Sequence, residues 1–446
     1  ELLEPGGAAG GALVRFSGAF LDPRGQRVPR VECRVPPALL RAAEPEAPAA
    51  SFFVARLAAA KEGYSDYWVD REGLVEDLFT GQPHSQDAAA LPALQGDFEV
   101  TTAFVQRSAD LAAVGDAWER AGARGRHVGA FYFLWPSEDG RANCTVEAGA
   151  LFSLMRRMEQ AGIPTRYPHP PQLYQALTGK LWAPAMSLAA AYSVPPTCAV
   201  HRGHFARDPE GAVACALRAI CAGAGQRPYE DASQGVAKLG YSWMGQEVEH
   251  WSDRPSLRAA CERLFQRQAS AATCLVQAYV SDVVCELRSI AAYDAAQGRY
   301  ATQLVYMCQR DGRPSGFSKT THHVLPSRAA LEVCFGGDAE AQAAAEAEAK
   351  RLADLWLYSW LPAVCAEPQP MLRLDFLVSH AREQGPPALH TVELTECGAS
   401  LCKTQPAVRT AALVNLVFSD RRCRRPGCRC AAPAPLPAFA CEGQDL

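Results

Sequence analysis

The sequence predicts a mixed fold, in which an α/β unit comes first and α+β structure follows. Strand-like and helical patterns alternate from about residue 98 to residue 162, as they do in α/β proteins. Prolines then crowd residues 163–171, where no helix can continue, and strand patterns dominate from about residue 273. At 446 residues, the chain is long enough for about three domains, and its 48% hydrophobic and 21% charged residues are ordinary for globular proteins. Intrinsic disorder and a small disulfide scaffold are therefore excluded as descriptions of the whole chain.

Within the first unit we expect two strands followed by a helix. Residues 98–105 form a strand-like run, and residues 127–135 are almost all apolar or aromatic, as in a strand buried on both faces. Apolar residues then recur at helical spacing between Leu151 and Met158, and Gly162 marks the end of that helix.

The rest of the chain contains helices, one strand–loop–strand unit and, towards its end, mainly strands. The predicted helices cover residues 177–192, 208–222, 338–361 and 407–418, with a further helix that begins at Asp253. The strand–loop–strand unit covers residues 236–248, and the later strands cover residues 273–280, 284–293, 300–309, 371–378 and 389–394.

The charge and the hydropathy of the chain limit its partners. Lys and Arg number 44 against 48 Asp and Glu, which gives a net charge of −4. Proteins that bind nucleic acid normally carry a basic face that displaces counterions, so we do not expect a nucleic acid partner. No apolar run reaches the length of about 18 residues that spans a bilayer, so we do not expect a membrane partner either.

The 17 cysteines indicate a reduced compartment. They are spread from Cys33 to Cys441, mostly as single residues inside apolar stretches, whereas secreted disulfide scaffolds are short and dense in cysteine. We therefore expect a cytoplasmic location. Cys423, Cys428 and Cys430 lie close together, but their spacing matches no usual zinc pattern, and we favour a mobile tail there.

Two late strands carry the clearest candidates for chemistry. Arg373 and Asp375 alternate with apolar residues and so point from one face of their strand, as do Glu393 and Thr395 on the next strand. If the two strands pair in antiparallel fashion, Asp375 and Glu393 lie side by side. Two neighbouring carboxylates are commonly relieved by a hard cation such as Mg²⁺, with an arginine beside them for phosphates. A cross-strand pair of arginine with a carboxylate on a solvated sheet face is an equally good interpretation of these residues alone.

Two earlier segments add candidates of lower specificity. Lys238 precedes a loop that contains Gly240, Ser242 and Gly245, residues that let backbone N–H groups approach phosphate oxygens. Most loops of this composition are ordinary turns.

The second of these segments is an apolar strand and the connector after it, which can present backbone groups to a flat purine. Glu286 and Arg288 follow on one strand face, either as part of a nucleotide site or as a salt bridge. The connector residues are Gln277, Ala278, Tyr279 and Val280.

The order and spacing of these pieces resemble the ATP-grasp superfamily, in which two α+β lobes close over ATP. The resemblance covers about residues 172–420. In chain order, the matching pieces are Gly179-Lys180-Leu181, Val194-Pro195-Pro196-Thr197, Lys238 with its loop, Gln277 to Val280, Glu286-Leu287-Arg288, Arg373-Leu374-Asp375 and Glu393.

The resemblance implies a division of the chain into five segments. They are a poorly ordered segment (1–50), an α/β domain of the kind that precedes an ATP-grasp fold (51–171), a first ATP-grasp lobe (172–272), a second lobe with the metal and phosphate strands (273–420) and a Cys/Pro-rich tail (421–446).

The resemblance also implies roles for the candidate residues. Asp375 and Glu393 would hold Mg²⁺, or Mn²⁺ as an alternative, with Thr395 as a third metal ligand. Lys180 and Lys238 would bind the phosphates of ATP. The other ATP-binding residues would be Gly240, Ser242, Gly245, Gln277, Ala278, Tyr279, Val280 and Glu286, and the catalytic residues would be Arg373, Lys238 and Arg288.

The implied activity is the ATP-dependent joining of a small carboxylate to an amine or a thiol through an acyl phosphate. Thr395 departs from the family, which usually has Asn at this position, and so keeps open an ATP-binding regulatory protein without turnover. A kinase of the same fold acting on a polyol is the other alternative. Lys319–His323 and Lys61–Trp68 are candidate lining segments for the acceptor. Paired histidines are more often surface or loop residues, and nothing in the sequence discriminates for Lys61–Trp68.

Overall fold

The computed structural model describes the chain from residue 13 to residue 395, with gaps. The described residues are 13–17, 20–21, 27–28, 32–34, 50–57, 98–105, 107–121, 128–140, 145–224, 234–241, 247–294, 297–309, 322–380 and 385–395.

The described strands are numbered here in chain order. They are β1 (Leu13–Ser17), β2 (Phe20–Leu21), β3 (Arg27–Val28), β4 (Glu32–Arg34), β5 (Ala50–Leu57), β6 (Phe98–Val105), β7 (Val128–Phe133), β8 (Trp135–Ser137), β9 (Thr145–Glu147), β10 (Thr165–Tyr167), β11 (Thr197–His201), β12 (Gly235–Leu239), β13 (Val248–Trp251), β14 (Thr273–Ala278), β15 (Val283–Asp294), β16 (Arg299–Gln309), β17 (His322–Leu325), β18 (Met371–Ser379) and β19 (Ala388–Thr395).

The helices of the described residues are numbered in the same way. They are α1 (Asp110–Ala121), α2 (Ala148–Gln160), α3 (Pro171–Gly179), α4 (Trp182–Met186), α5 (Arg202–Arg207), α6 (Pro209–Ala224), α7 (Arg254–Arg267), α8 (Ser327–Phe335), α9 (Ala339–Leu355) and α10 (Leu361–Val364), with a 3₁₀ turn at Ala190–Tyr192 and a π-helical turn at Trp356–Trp360.

The first sheet has the character that the sequence predicts for this part of the chain. Its six strands run in the order β10-β7-β5-β6-β1-β4, with parallel pairing throughout except between β1 and β4. Helices α1 and α2 share a core with it, in which the Trp118 ring lies 5.4 Å from Phe53 and 5.7 Å from Tyr132. Strands β1 to β4 fall within residues 1–50, the segment for which the sequence predicts little order. The five segment bounds themselves stay predictions.

The second sheet is antiparallel and has the order β11-β14-β12-β13. Helices α6 and α7 supply the apolar side chains that share its core. Helix α7 begins directly after Asp253, as predicted, because the Asp253 carboxylate accepts from the amide of Ser256 over 2.7 Å and caps the first turn. The first strand predicted within residues 236–248 is confirmed by β12, whereas the second, β13, begins only at Val248 and continues to Trp251.

The third sheet is antiparallel and has the order β17-β16-β15-β18-β19. Its inner face shares a core with α3, α4, α8 and α9. Because neighbouring strand residues point to opposite faces, Leu287, Leu374 and Leu394 lie in this core while the charged residues beside them face the other way. This geometry places the charged candidates together on one face.

One predicted helix is wrong in its extent. Residues 177–192 form the end of α3, then α4 and a 3₁₀ turn, because Lys180 takes up a left-handed conformation (φ 54°) that ends α3. The long helix predicted over residues 338–361 is confirmed as a continuous helical run, in which α9 passes through the π-helical turn into α10. The mixed fold class with several sheets is confirmed. In the described part of the chain, no helix combines the length and the apolar character that crossing a bilayer requires.

Candidate active site

A row of three charged residues crosses the third sheet. Arg288 on β15 lies opposite Asp375 on β18, and Asp375 lies opposite Glu393 on β19. The side-by-side arrangement of the two carboxylates is therefore confirmed as the strand spacing predicts. Thr395 lies opposite Arg373 in the same strand pair, so Glu393 and Thr395 flank the arginine–aspartate pair from one neighbouring strand.

Arginines hold Asp375 on two sides. Arg373 donates to both of its carboxylate oxygens, with Nε–Oδ1 at 2.8 Å and Nη2–Oδ2 at 2.7 Å. Arg288 pairs with Glu286, and its Nε lies 3.6 Å from Asp375 Oδ2. Arg373 and Asp375 are 5% and 3% exposed, so the arginine–carboxylate pair that the sequence left open exists, but it is buried rather than solvated.

Burial and charge act in opposite directions on this pair. Burial raises the pKa of the Asp375 carboxyl, against the lowering effect of Arg373 and Arg288. Burial and Arg288 act to lower the pKa of the Arg373 guanidinium, but the carboxylates of Asp375 and Glu393 outweigh them and raise it. The bidentate contact favours the charged form of both partners.

Glu393 connects the third sheet to the end of α3. Its Oε1 lies 3.2 Å from Lys180 Nζ, and its Oε2 lies 3.8 Å from Arg373 Nη2. Burial acts to raise the pKa of this carboxyl, but Lys180, Arg373 and Lys238 lower it to about 2. The Glu393 side chain is still 36% exposed, so a ligand can reach it.

The left-handed turn at the end of α3 puts Lys180 in this contact. The loop after β12 passes directly against that turn, since a Cβ on Gly240 would lie 2.4 Å from the carbonyl oxygen of Gly179. The structure therefore gives Gly240 a steric role in this close approach. Ser242 and Gly245, which were predicted in the same loop, lie outside the described residues.

Lys238 is buried on β12, and its partner is uncharged. Its Nζ donates to Gln277 Oε1 over 3.1 Å. Burial, with some help from Lys180, lowers the pKa of Lys238 to about 8, while Glu393 acts in the opposite direction. Among the residues that the structure describes, no carboxylate forms an ion pair with Lys238. An ammonium group carries three donors, so Lys238 retains donors for a ligand.

The connector residues have different surroundings. Gln277 is buried beside Lys238, whereas Ala278 and Val280 pack in the core of the second sheet. The Ala278 amide donates to the carbonyl oxygen of Pro196 over 2.9 Å, and the Tyr279 amide donates to Gln234 over 3.2 Å. Tyr279 is exposed at the surface.

Thr395 has an unsatisfied polar atom. Its hydroxyl is buried and has no hydrogen-bond partner within the described part of the chain. Such orphan groups are rare in protein interiors and call for an explanation such as a ligand or ordered water.

The donors present fit Mg²⁺. Asp375, Glu393 and the Thr395 hydroxyl offer the hard oxygen donors that this ion prefers. The described residues contain no group of three or more His, Cys, Asp or Glu side chains that could hold a metal alone. A site of one or two carboxylates, completed by substrate phosphates and water, is nevertheless the usual arrangement for Mg²⁺.

Two threonines organise the site without a role assigned from the sequence, where Thr197 is named only as the last residue of the Val194–Thr197 motif and Thr391 is not named at all. Thr197 accepts a hydrogen bond from Gln277 Nε2 over 2.8 Å. Thr391 donates to the carbonyl oxygen of Tyr192 over 2.7 Å and accepts from Trp356 Nε1 over 3.3 Å, which fixes β19 two residues before Glu393. Thr391 carries no distinctive sequence signal, because polar and apolar residues are mixed along Ala388–Thr395.

Several predicted features lie outside the described residues. For His322 and His323 only the backbone is described, in β17 at the opposite edge of the third sheet from β19. The features that are not described at all are Lys319, the segment Lys61–Trp68, the helix predicted over residues 407–418 and the cysteines of the tail.

Comparison with known proteins finds likeness at the level of structure. No family model and no curated protein matches the chain. The chain is similar to D-cycloserine synthetase DcsG, with 16% identity and a TM-score of 0.46 over 82% of this chain and 99% of that chain. It is similar to D-alanyl-alanine synthetase A from Vibrio cholerae O1 biovar eltor, with 13% identity and a TM-score of 0.44 over 82% and 98% of the two chains.

A third similar structure is D-alanine–D-alanine ligase from Bacillus anthracis complexed with ATP, with 12% identity and a TM-score of 0.43 over 83% and 97% of the two chains. Two of these three proteins are synthetases by name, and the third is a ligase. At TM-scores below 0.5, neither the activity nor the substrate of this chain follows from the likeness.

Proposed function

We propose that the site binds Mg·ATP, activates a small carboxylate as an acyl phosphate and joins it to an amine or a thiol. One observation carries the proposal. Four cationic side chains and three carboxylates are gathered where the second and third sheets meet α3, and most of them are nearly buried. The cations are Lys180, Lys238, Arg288 and Arg373, and the carboxylates are Glu286, Asp375 and Glu393.

The burial of so many charges favours a functional explanation. Removing ion pairs from water is costly, and apolar residues of similar size would give equal or greater stability. Titratable groups with perturbed pKa values cluster at functional sites for this reason. The cations exceed the carboxylates by one, and Lys238 has a neutral partner, so the cluster suits an anionic ligand that arrives with a cation.

Nucleotide phosphates with Mg²⁺ fit this description. Lys180 and Lys238 would contact the phosphates, and Asp375 and Glu393 would hold Mg²⁺ with the Thr395 hydroxyl beside them. When bound, Mg²⁺ neutralises charge on the phosphates. Lys180, Arg288 and Arg373, which pair with carboxylates in the structure, would then contact phosphate oxygens, so that their charges would not be left unpaired in the interior.

The reaction would proceed in two transfers. A substrate carboxylate oxygen attacks the γ-phosphorus, the bond from that phosphorus to the bridging oxygen breaks, and ADP leaves. An amine or thiolate then attacks the acyl carbon, the acyl–oxygen bond breaks, inorganic phosphate leaves, and an amine nucleophile loses a proton to solvent. Arg373 and Arg288 would stabilise the charge on the transferring phosphoryl group and on the tetrahedral adduct.

A second candidate is a protein that binds ATP without turnover. Thr395 favours it, because a threonine oxygen lies closer to the backbone than the amide oxygen of the usual asparagine and reaches less far towards a metal.

The test is release of phosphate from ATP in the presence of pools of carboxylic acids and amines. We expect release only when both pools are present, with mass spectrometry showing a product that has lost one water. The double variant Asp375→Asn/Glu393→Gln should lose at least about 1000-fold in rate, as expected when charge stabilisation of the transferring group is removed. A matched control, Glu210→Gln/Glu249→Gln, also changes two carboxylates to amides, one in an exposed and one in a half-buried ion-pair network outside the site, and should keep the wild-type rate.

The outcomes separate the candidates. Full activity of the Asp375→Asn/Glu393→Gln variant would contradict the proposed site. A stable phosphorylated product would indicate the kinase alternative. Binding of Mg·ATP by calorimetry without turnover in any pool would favour the second candidate, and recovery of turnover by Thr395→Asn would then identify the cause.

A further inference from the structure

A chain of hydrogen bonds leads from Lys238 away from the site and into the second sheet. Lys238 Nζ donates to Gln277 Oε1 over 3.1 Å, and Gln277 Nε2 donates to Thr197 Oγ1 over 2.8 Å. Thr197 Oγ1 in turn donates to the carbonyl oxygen of Pro195 over 2.7 Å. All three side chains are buried.

The two end groups of this series of hydrogen bonds determine which atom donates and which accepts at each step. An ammonium group can only donate, and a carbonyl oxygen can only accept. Thr197 gives its single proton to Pro195 and can therefore only accept from Gln277. The Gln277 amide then has one orientation that satisfies both neighbours, with its oxygen towards Lys238 and its nitrogen towards Thr197.

The backbone holds the far end of the chain in place. Thr197 on β11 lies directly opposite Gln277 on β14. The turn before Thr197 is tied to the same strand, because the Ala278 amide donates to the Pro196 carbonyl over 2.9 Å. A fixed acceptor is what makes the orientation of an amide side chain unique.

We propose that Thr197 and Gln277 are positioning residues that orient the Lys238 ammonium for phosphate binding. The inference rests on the proposed function, because it concerns the lysine assigned to the nucleotide phosphates. Without the Thr197 hydroxyl, the Gln277 amide can rotate by half a turn and present its N–H₂ group to the ammonium. Two donors then face each other, and Lys238 loses its orientation without loss of its charge.

The test compares two ligands that differ in phosphate. Calorimetry measures binding of Mg·ADP and of adenosine to the full chain and to the variants Thr197→Val, Thr197→Ser, Lys238→Met and Thr197→Val/Lys238→Met. The matched control is Thr145→Val, which removes a buried hydroxyl bond of 2.9 Å to Ser137 in the β8–β9 pair, away from the chain of hydrogen bonds.

We expect a phosphate-specific loss. Lys238→Met should weaken Mg·ADP binding about ten- to hundredfold, and Thr197→Val about five- to tenfold, with adenosine binding within about twofold of the wild type. Thr197→Ser keeps the hydroxyl and should restore Mg·ADP binding. In the double variant, Thr197→Val should have no further effect, since there is no ammonium left to orient.

Each alternative result has a definite meaning. Equal losses for Mg·ADP and adenosine, or losses that add in the double variant, would show a structural role for Thr197 and overturn the inference. The same follows if Thr145→Val weakens Mg·ADP as much as Thr197→Val does. If the wild type binds no Mg·ADP and no Mg·ATP, the proposed function fails, and the inference fails with it. If Lys238→Met weakens binding and Thr197→Val does not, only the inference fails.

Discussion

The two sheets that form the site hold their charges in different ways. On the third sheet, Arg373 and Arg288 both contact the buried carboxylate of Asp375. On the second sheet, Lys238 is equally inaccessible but has a neutral amide, that of Gln277, as its partner. The third sheet therefore satisfies its charges before any ligand arrives, whereas the second sheet holds a desolvated cation.

This difference predicts that removing a charged side chain changes the free energy of unfolding differently in the two sheets. A paired buried charge becomes a liability when its partner is removed, because the remaining charge is left uncompensated. A buried ammonium group with a neutral partner already lowers the stability of the folded state, because its desolvation is not compensated by an opposite charge. The same kind of substitution should therefore have opposite effects on stability in the two sheets.

The largest expected effect is on the stability of the third sheet. Asp375→Ala leaves Arg373 and Arg288 without their shared carboxylate and should lower the free energy of unfolding by about 3–5 kcal/mol. Lys238→Met removes a desolvated charge at the cost of one hydrogen bond and should raise the free energy of unfolding by about 1–2 kcal/mol at pH 7. Urea unfolding of both variants measures the two changes. Changes of the same sign would remove the contrast between the sheets.

At basic pH, the stability of the folded chain should depend on the desolvated Lys238 of the second sheet. The pKa of Lys238 is lowered from 10.5 to about 8 in the folded chain. Between these values the unfolded chain binds a proton that the folded chain does not, so stability from this group rises with pH, by up to about 1.4 kcal/mol per pH unit. Urea unfolding from pH 7 to 10.5 should show that the stability gain of Lys238→Met shrinks as the pH rises, while Mg·ADP binding by the wild type weakens above pH 8.

At acidic pH, the stability of the folded chain should depend on Glu393. Its pKa is lowered from 4.5 to about 2, so its contribution to stability is fully present above pH 4.5 and is lost as the pH falls towards 2. The stability difference between the wild type and Glu393→Gln should disappear in that range.

For the lysine, a stability difference between Lys238→Met and the wild type that does not change from pH 8 to 10.5 would mean that Lys238 is not desolvated.

The sequence was sufficient for the geometry within the third sheet. Alternation of apolar and charged residues along a strand determines which side chains share a face, and consecutive antiparallel strands are commonly neighbours. The contact of Asp375 with Glu393 follows from these two local rules. The burial of Asp375 does not follow from them, because it depends on the elements that cover the sheet.

The second sheet was harder to predict because its contacts join distant segments. Thr197 and Gln277 are 80 residues apart and meet only because β11 pairs with β14. The break in the helix predicted over residues 177–192 is also a tertiary effect. Trp182 packs edge-on against Trp356 at 5.2 Å, a contact that local helix propensity cannot anticipate.

The smallest expected effect is also the sharpest test of the site, and it uses two threonines of β19. Thr391→Val removes a hydroxyl that bonds both the Tyr192 carbonyl and the Trp356 indole, and it should lower the free energy of unfolding by about 1–3 kcal/mol. Thr395→Val removes a buried hydroxyl that has no partner in the described structure, and it should change the free energy of unfolding by about 0–1 kcal/mol in the stabilising direction.

The two variants should respond differently to ligand. Mg·ADP should stabilise the Thr391→Val variant by about as much as the wild type, because ligand stabilisation depends on affinity for the folded state. It should stabilise Thr395→Val less, because the hydroxyl that would meet the ion or its water is gone. Thermal unfolding with and without 100-fold excess Mg·ADP measures this, and equal ligand shifts in the two variants would mean that the orphan hydroxyl of Thr395 is a packing defect of β19 and not part of the site.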